Sequence, residues 1–142
     1  MKTKTLLLGA VAYLLVTFPL AFLWHLVAFK RIYDELGIFN RHEPIVALGF
    51  VVIAIQGLLL SYVYPLFRRS ADWMKDGLKF GVIMGLFLWS SQVVAAAAKH
   101  EVTSLTAWLG IETIYFALQF TLVGLALGWV YGRKRSFELG ES

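Results

Sequence analysis

Cysteine is absent from all 142 residues. That excludes disulfides, thiolate metal sites, iron–sulfur clusters and thiol redox chemistry together. Charge is scarce as well: Asp, Glu, Lys and Arg make up 15% of the chain, against roughly 25% in a soluble domain. Also missing are a Ser–His–Asp order, a phosphate loop and an HExxH helix, the motifs that would announce an enzyme. What the chain has instead is apolar residues, 59% of the total, with a mean hydropathy of +0.72. A small domain exposes too much surface to hide that much apolar material from water. The class is membrane protein.

A spanning helix needs roughly 20 mostly apolar residues to cross about 30 Å of hydrocarbon. Four stretches qualify: residues 5–29, 44–67, 78–98 and 109–131. The connections are too short to fold separately, so the expected fold is one domain over 1–142. It is an all-α, integral membrane four-helix bundle. Lys2 and Lys4 before the first apolar run resemble a secretory signal. Such a signal has an apolar region of only about 7–15 residues and a small-residue cleavage site. Here the run reaches Phe29 and closes on Leu23-Trp24-His25, so the helix is expected to be retained, with Pro19 as a possible kink point.

Cytoplasmic loops carry the excess of Lys and Arg. One side holds nine: Lys2, Lys4, Arg68, Arg69, Lys75, Lys79, Arg133, Lys134 and Arg135. The other holds four: Lys30, Arg31, Arg41 and Lys99. Both termini are therefore expected in the cytoplasm. The net charge of +4 reads as a topology and anionic-lipid signal. No interleaving of basic and aromatic residues suggests nucleic acid.

The loops fit these boundaries. Asn40-Arg41-His42-Glu43-Pro44 is a turn leading to proline at a first helical position, where its missing N–H costs nothing. Residues 70–77 offer a Ser or Asp cap before the third span. Trp24, Tyr33, Trp73, Trp108, Trp129 and Tyr131 fall near expected interfaces, as an aromatic belt would.

Within lipid, helices associate by close packing and hydrogen bonds. Gly81-x-x-x-Gly85 and Gly124-x-x-x-Gly128 lie at matched depth, about 4–10 Å inside the cytoplasmic surface, and are expected to pack together. Near the midplane, Gln56, Gln92 and Gln119 sit about 17, 21 and 18 Å from the same surface, with Thr17 and Ser91 in that layer. Such a layer serves either as interhelical hydrogen bonding or as a polar-lined pocket for a small molecule.

The opposite end gathers His25, His42, Glu43, His100, Glu101 and Glu112. Imidazole and carboxylate are the metal ligands left when thiolates are missing, and two histidines can hold a haem axially. His25, His100, Glu112 and His42 are the metal candidates, although no HxxxH or ExxH spacing supports them. The competing role is interfacial hydrogen bonding, and no cofactor is expected by default. Glu112 has two readings: an acid within a span, functional by default, or an acid stabilised at a helix N-terminus. Lys99, His100 or His25 can pair with it.

Leu23-Trp24-His25 with Phe29, and the run Glu112, Gln119, Gly124, Gly128-Trp129, carry one resemblance. The chain resembles a group of small bacterial inner-membrane proteins with four helices, about 130–150 residues and no assigned activity. The likeness covers the whole chain in layout, and it implies a fold without a reaction. Vitamin-K-epoxide-reductase-like enzymes share the bundle but need cysteine. Small multidrug transporters place their essential acid in the first span, which here has none. The expected role is a non-catalytic accessory subunit of the bacterial inner membrane, associating with lipid and with other membrane subunits or its own copies. The alternative is a small-molecule carrier or an outer-face metal or haem binder.

Overall fold

The computed structural model describes residues 3–39, 41, 43–70 and 72–139, with side chains described up to Gly132. His42 and Lys2 therefore lie outside the described residues, as do the side chains of Arg133, Lys134 and Arg135. Among the described residues six α-helices form: α1 Thr3–Phe22, α2 Lys30–Leu36, α3 Val46–Val63, α4 Trp73–Trp89, α5 Ala95–Lys99 and α6 Leu105–Leu139. Two π-helical turns extend them, Leu23–Ala28 after α1 and Ser90–Val94 between α4 and α5, and a 3₁₀ turn Tyr64–Leu66 closes α3.

Among the described residues four helical stretches are long and apolar enough to cross a membrane: Thr3–Ala28, Val46–Leu66, Trp73–Lys99 and Leu105–Gly132. In the most apolar window of the first two, only 17% is buried inside the chain. Surfaces that apolar and that exposed have lipid as their natural solvent. Among the described residues the only regular structure is helical, and the four apolar helices make the chain multi-pass in character.

The helix starts differ from the hydropathy boundaries for a local reason. Asp72 caps α4, its Oδ1 accepting the N–H groups of Met74 at 3.0 Å and Lys75 at 3.1 Å, so the third span begins five residues earlier than hydropathy suggests. Asp76, buried in the first turn of α4, accepts the N–H groups of Arg69 and Ser70 and ties down the preceding turn. Ser104 caps α6, its Oγ accepting the Ala107 N–H at 3.3 Å, and α6 begins four residues earlier than hydropathy suggests. Side-chain caps of this kind satisfy the first N–H groups of a helix. α1 runs through Pro19 without ending.

In space α1 lies between α3 and α6, and α6 lies between α1 and α4. At the end carrying the termini, aromatic rings join the outer members of this row. Tyr64 packs 5.1 Å from Phe80 and 5.0 Å from Tyr131, and Phe67 lies 5.2 Å from Phe80. Tyr131 donates to the Ser61 carbonyl at 2.6 Å, and the Ser61 hydroxyl donates to the Leu6 carbonyl at 2.8 Å.

Glycine sets the closest approach. A Cβ on Gly77 would strike the Gly124 carbonyl, and one on Gly81 would strike the Phe120 carbonyl. Gly124 meets Gly77 and Gly81 in return, while Gly128 lies against Trp73 and Gly77. Gly85 meets the Phe120 side chain, 2.9 Å from where its Cβ would be. The register thus differs by about one helical turn from a direct pairing of Gly81-x-x-x-Gly85 with Gly124-x-x-x-Gly128. The earlier start of α4 is what brings Gly77 into the stripe.

Candidate functional site

The end away from the termini is built around Glu112. α6 starts at Leu105, so Glu112 stands two turns into the helix, beyond the reach of the N-terminal dipole. It is buried, as are its neighbours Tyr115 and Trp108 on the same helix face. An acid there needs hydrogen-bond donors from the same chain.

They come from two elements. The first is the π turn Leu23–Ala28, in which the Phe29 N–H bonds back five residues to the Trp24 carbonyl at 3.0 Å. A wider turn lowers the rotation per residue, so the adjacent Trp24 and His25 both address the site. The second is α2. Its exposed face carries the pairs Lys30–Asp34 and Arg31–Glu35, each worth only a few tenths of a kcal/mol. Its other face buries Tyr33 and Leu36. Gly37 ends α2 at φ 70°, a conformation that favours glycine. Beyond it, the Thr103 N–H donates to the Leu36 carbonyl at 3.1 Å and its hydroxyl to the Glu35 carbonyl at 2.9 Å. α2 is thereby held so that Tyr33 faces Glu112.

The resulting chain of hydrogen bonds has a direction. The Trp24 indole N–H donates to the Tyr33 hydroxyl oxygen at 3.1 Å, and the Tyr33 hydroxyl donates to Glu112 Oε1 at 2.5 Å. His25 Nε2 lies 3.3 Å from the same oxygen. His25 Nδ1 lies 3.0 Å from the Ala21 carbonyl oxygen, which can only accept, so Nδ1 carries a proton. The contact between Nε2 and Oε1 then closes only with one further proton between them.

Aromatic rings wall this pair. The His25 ring centre lies 4.6 Å from Tyr115 and 4.8 Å from Tyr33, and Trp24 stacks 4.4 Å from Phe29. Burial, and next the Glu112 carboxyl group accepting its hydrogen bond, push the Tyr33 hydroxyl far above its usual value near 10. It stays a donor. On the outer side of Tyr33, the indole of Trp108 donates to the Val93 carbonyl at 3.1 Å, linking α6 to the second π turn.

Of the four metal candidates, the structure brings His25 and Glu112 together. His100 is an exposed residue just after α5, and His42 lies outside the described residues. Among the described residues no three His, Asp or Glu side chains gather as a metal site. Tyr33, Trp24 and Trp108 were expected at the interface, but their polar tips are turned inward to partners within the chain, as is that of Tyr131. Trp73 and Trp129 remain exposed.

The midplane residues divide. Gln119 donates to Thr17 at 3.4 Å, both buried. Gln56 accepts from the Tyr13 hydroxyl at 3.0 Å, a tyrosine that hydropathy alone does not mark. Ser91 and Gln92 lie in the π turn Ser90–Val94 and are exposed, so they do not join the others. An apolar groove of about 380 Å³ runs between the third and fourth spans, with Gly81, Gly85, Leu86, Trp89, Phe116 and Phe120 among its lining residues.

No protein-family model, curated protein or solved structure gives a significant match to this chain.

Proposed function

We propose that this is a non-catalytic protein of the bacterial inner membrane, with both termini cytoplasmic. It works as an accessory subunit that associates with other membrane proteins and with lipid. The nine-to-four division of basic residues supports the orientation. One observation carries the associating role: residues 46–52 of α3 are all exposed. Seven consecutive residues cover nearly two helical turns, so this half of the second span is exposed on every side, its large apolar side chains 41–58% exposed. Among the described residues its one ring contact is Phe50 with Phe18, 5.5 Å between centres. The other half is packed, with Gly57, Leu60 and Ser61 buried. In lipid a helix gains its stability from packing, and the bare half is where another subunit's helix gains most. The Glu112 network supports the same role, since His25, Tyr33, Trp24 and Trp108 spend their polar atoms on bonds within the chain and stiffen that end.

The test is gentle purification from native membranes, with a photo-crosslinking residue at Leu48. A discrete adduct with another membrane protein, formed from Leu48 and not from Leu15 of the first span, supports the role. A clean monomer without adducts overturns it.

The meeting of His25 with Glu112 favours one second reading, an outer-face metal- or haem-binding protein with those two residues as ligands. Its small-molecule-carrier form would use the groove beside Gly81 and Gly85. Stoichiometric copper, zinc or iron, or a Soret band, lost in His25→Ala, would support metal or haem. Purified protein with neither would count against it.

A further inference from the structure

The groove between the third and fourth spans has a shape that limits what can fill it. On α4 its lining runs from Leu78 to Trp89, about 16 Å along the helix. Spread over that length, its volume of about 380 Å³ makes a slot roughly 5 Å across. A third helix, about 10–12 Å wide with its side chains, cannot enter it. A single hydrocarbon chain, about 4 Å thick by the contact distance of carbon atoms, can. Gly81 and Gly85 lie against the backbone and side chain of Phe120, so the two helices close the bottom of the slot. At its deep end the Trp89 indole donates to the Thr113 hydroxyl, which donates to the Leu109 carbonyl. Apart from the Thr121 hydroxyl, the rest of the lining is apolar.

Depth narrows the occupant further. The third span, Trp73–Lys99, has 27 residues and is about 40 Å long, against a hydrocarbon core of about 30 Å. About 5 Å at each end therefore stands among headgroups. Leu78 then lies just inside the core at the end carrying the termini, and Trp89 lies near the midplane. The groove has the depth of one leaflet's chains.

Charge stands at its mouth. Lys75 and Lys79 are both exposed. Lys75, Lys79, Val82 and Leu86 follow at spacings of four, three and four residues, which puts the two lysines on the helix face that walls the groove. Side chains on a helix lean towards its N-terminus, here the headgroup side, and lysine stems carry their ammonium groups to that layer. Among the described residues neither lysine has an acid within ion-pair distance. The acids of that turn, Asp72 and Asp76, accept backbone N–H groups instead.

We infer that the groove binds one acyl chain of an anionic phospholipid, from the leaflet on the side of the termini, with its phosphate on Lys75 and Lys79. Such a lipid brings charge at the surface and a chain below it, in the order the site requires. Attraction of lysine to anionic lipid is general; the slot adds a fixed seat beneath the charge. This names the lipid of the reading above and rests on its membrane placement, but it uses a different face from the bare half of α3.

The test is native mass spectrometry of delipidated protein in mild detergent, titrated with dioleoyl phosphatidylglycerol or dioleoyl phosphatidylcholine. One phosphatidylglycerol should bind, with phosphatidylcholine weaker on the order of tenfold. Lys75→Gln combined with Lys79→Gln should bring phosphatidylglycerol down to the phosphatidylcholine level. Ala117→Phe places a ring in the slot from the exposed side of α6 and should weaken both lipids together. Val82→Trp does the same from α4, where Val82 is 70% exposed. An unchanged melting temperature of the lipid-free protein shows which of the two variants folds. Equal binding of the two lipids overturns the site. So does phosphatidylglycerol binding that tolerates the filled slot, or a protein adduct from a photo-crosslinking residue at Ala117 in native membranes. None of these outcomes involves Leu48, whose cross-link decides the accessory-subunit reading separately.

Discussion

Glu112 and His25 lie 87 residues apart in the chain, yet Oε1 of one stands 3.3 Å from Nε2 of the other. The contact joins the first span to the fourth, and Tyr33 fastens α2 to both. Removing His25's partner, or Tyr33's, from this partly buried cluster leaves polar groups unsatisfied, a loss of about 1–3 kcal/mol. Glu112→Ala should lose stability on that scale in detergent unfolding. Glu112→Gln keeps an acceptor for Tyr33 and should lose less. Equal stability of Glu112→Ala and the parent protein would show that the network does not hold this end together.

Tyr33 gives the network a pH signature. Its folded value is raised above the ordinary value near 10, so folding favours the protonated hydroxyl. That contribution is complete below about pH 10 and is lost as pH rises beyond it, since the unfolded chain releases the proton first. Stability should therefore fall above pH 10, and Tyr33→Phe should show a shallower fall than the parent protein. Parallel curves for the two proteins would contradict the assignment.

The glycine stripe separates close packing from mere composition. Gly77→Ala and Gly124→Ala place a methyl group against a backbone carbonyl, and each should cost about 1–3 kcal/mol through forced separation of α4 and α6. Gly110→Ala meets nothing within 4 Å and should be neutral or slightly stabilising. Gly85→Leu and Gly128→Leu should loosen the same interface, read as a lower melting temperature in detergent. Tolerance at Gly77 and Gly124 alike would remove the interface from the account.

Four long apolar helices and the grouping of His25 with Glu112 at one end were legible in the sequence, because hydropathy and alternation of ends suffice for both. Helix starts were not. Hydropathy reports where lipid is touched, whereas Asp72 and Ser104 decide where the backbone begins to coil, and their caps move Gly77 and Glu112 deeper into helices. Tyr33 was legible only as an interfacial aromatic. Its place beside Glu112 depends on the π turn at Leu23–Ala28 and on the left-handed Gly37, and neither follows from periodicity. Gln92, in the second π turn, is exposed rather than packed with Thr17 and Gln119.

The accessory role is tested most directly by cross-linking from Leu48, on the bare half of α3, in native membranes. The account predicts one discrete adduct with another membrane protein, lost when the residue is moved to Leu15. A chain that gives no adduct from Leu48 and purifies without partners would contradict it.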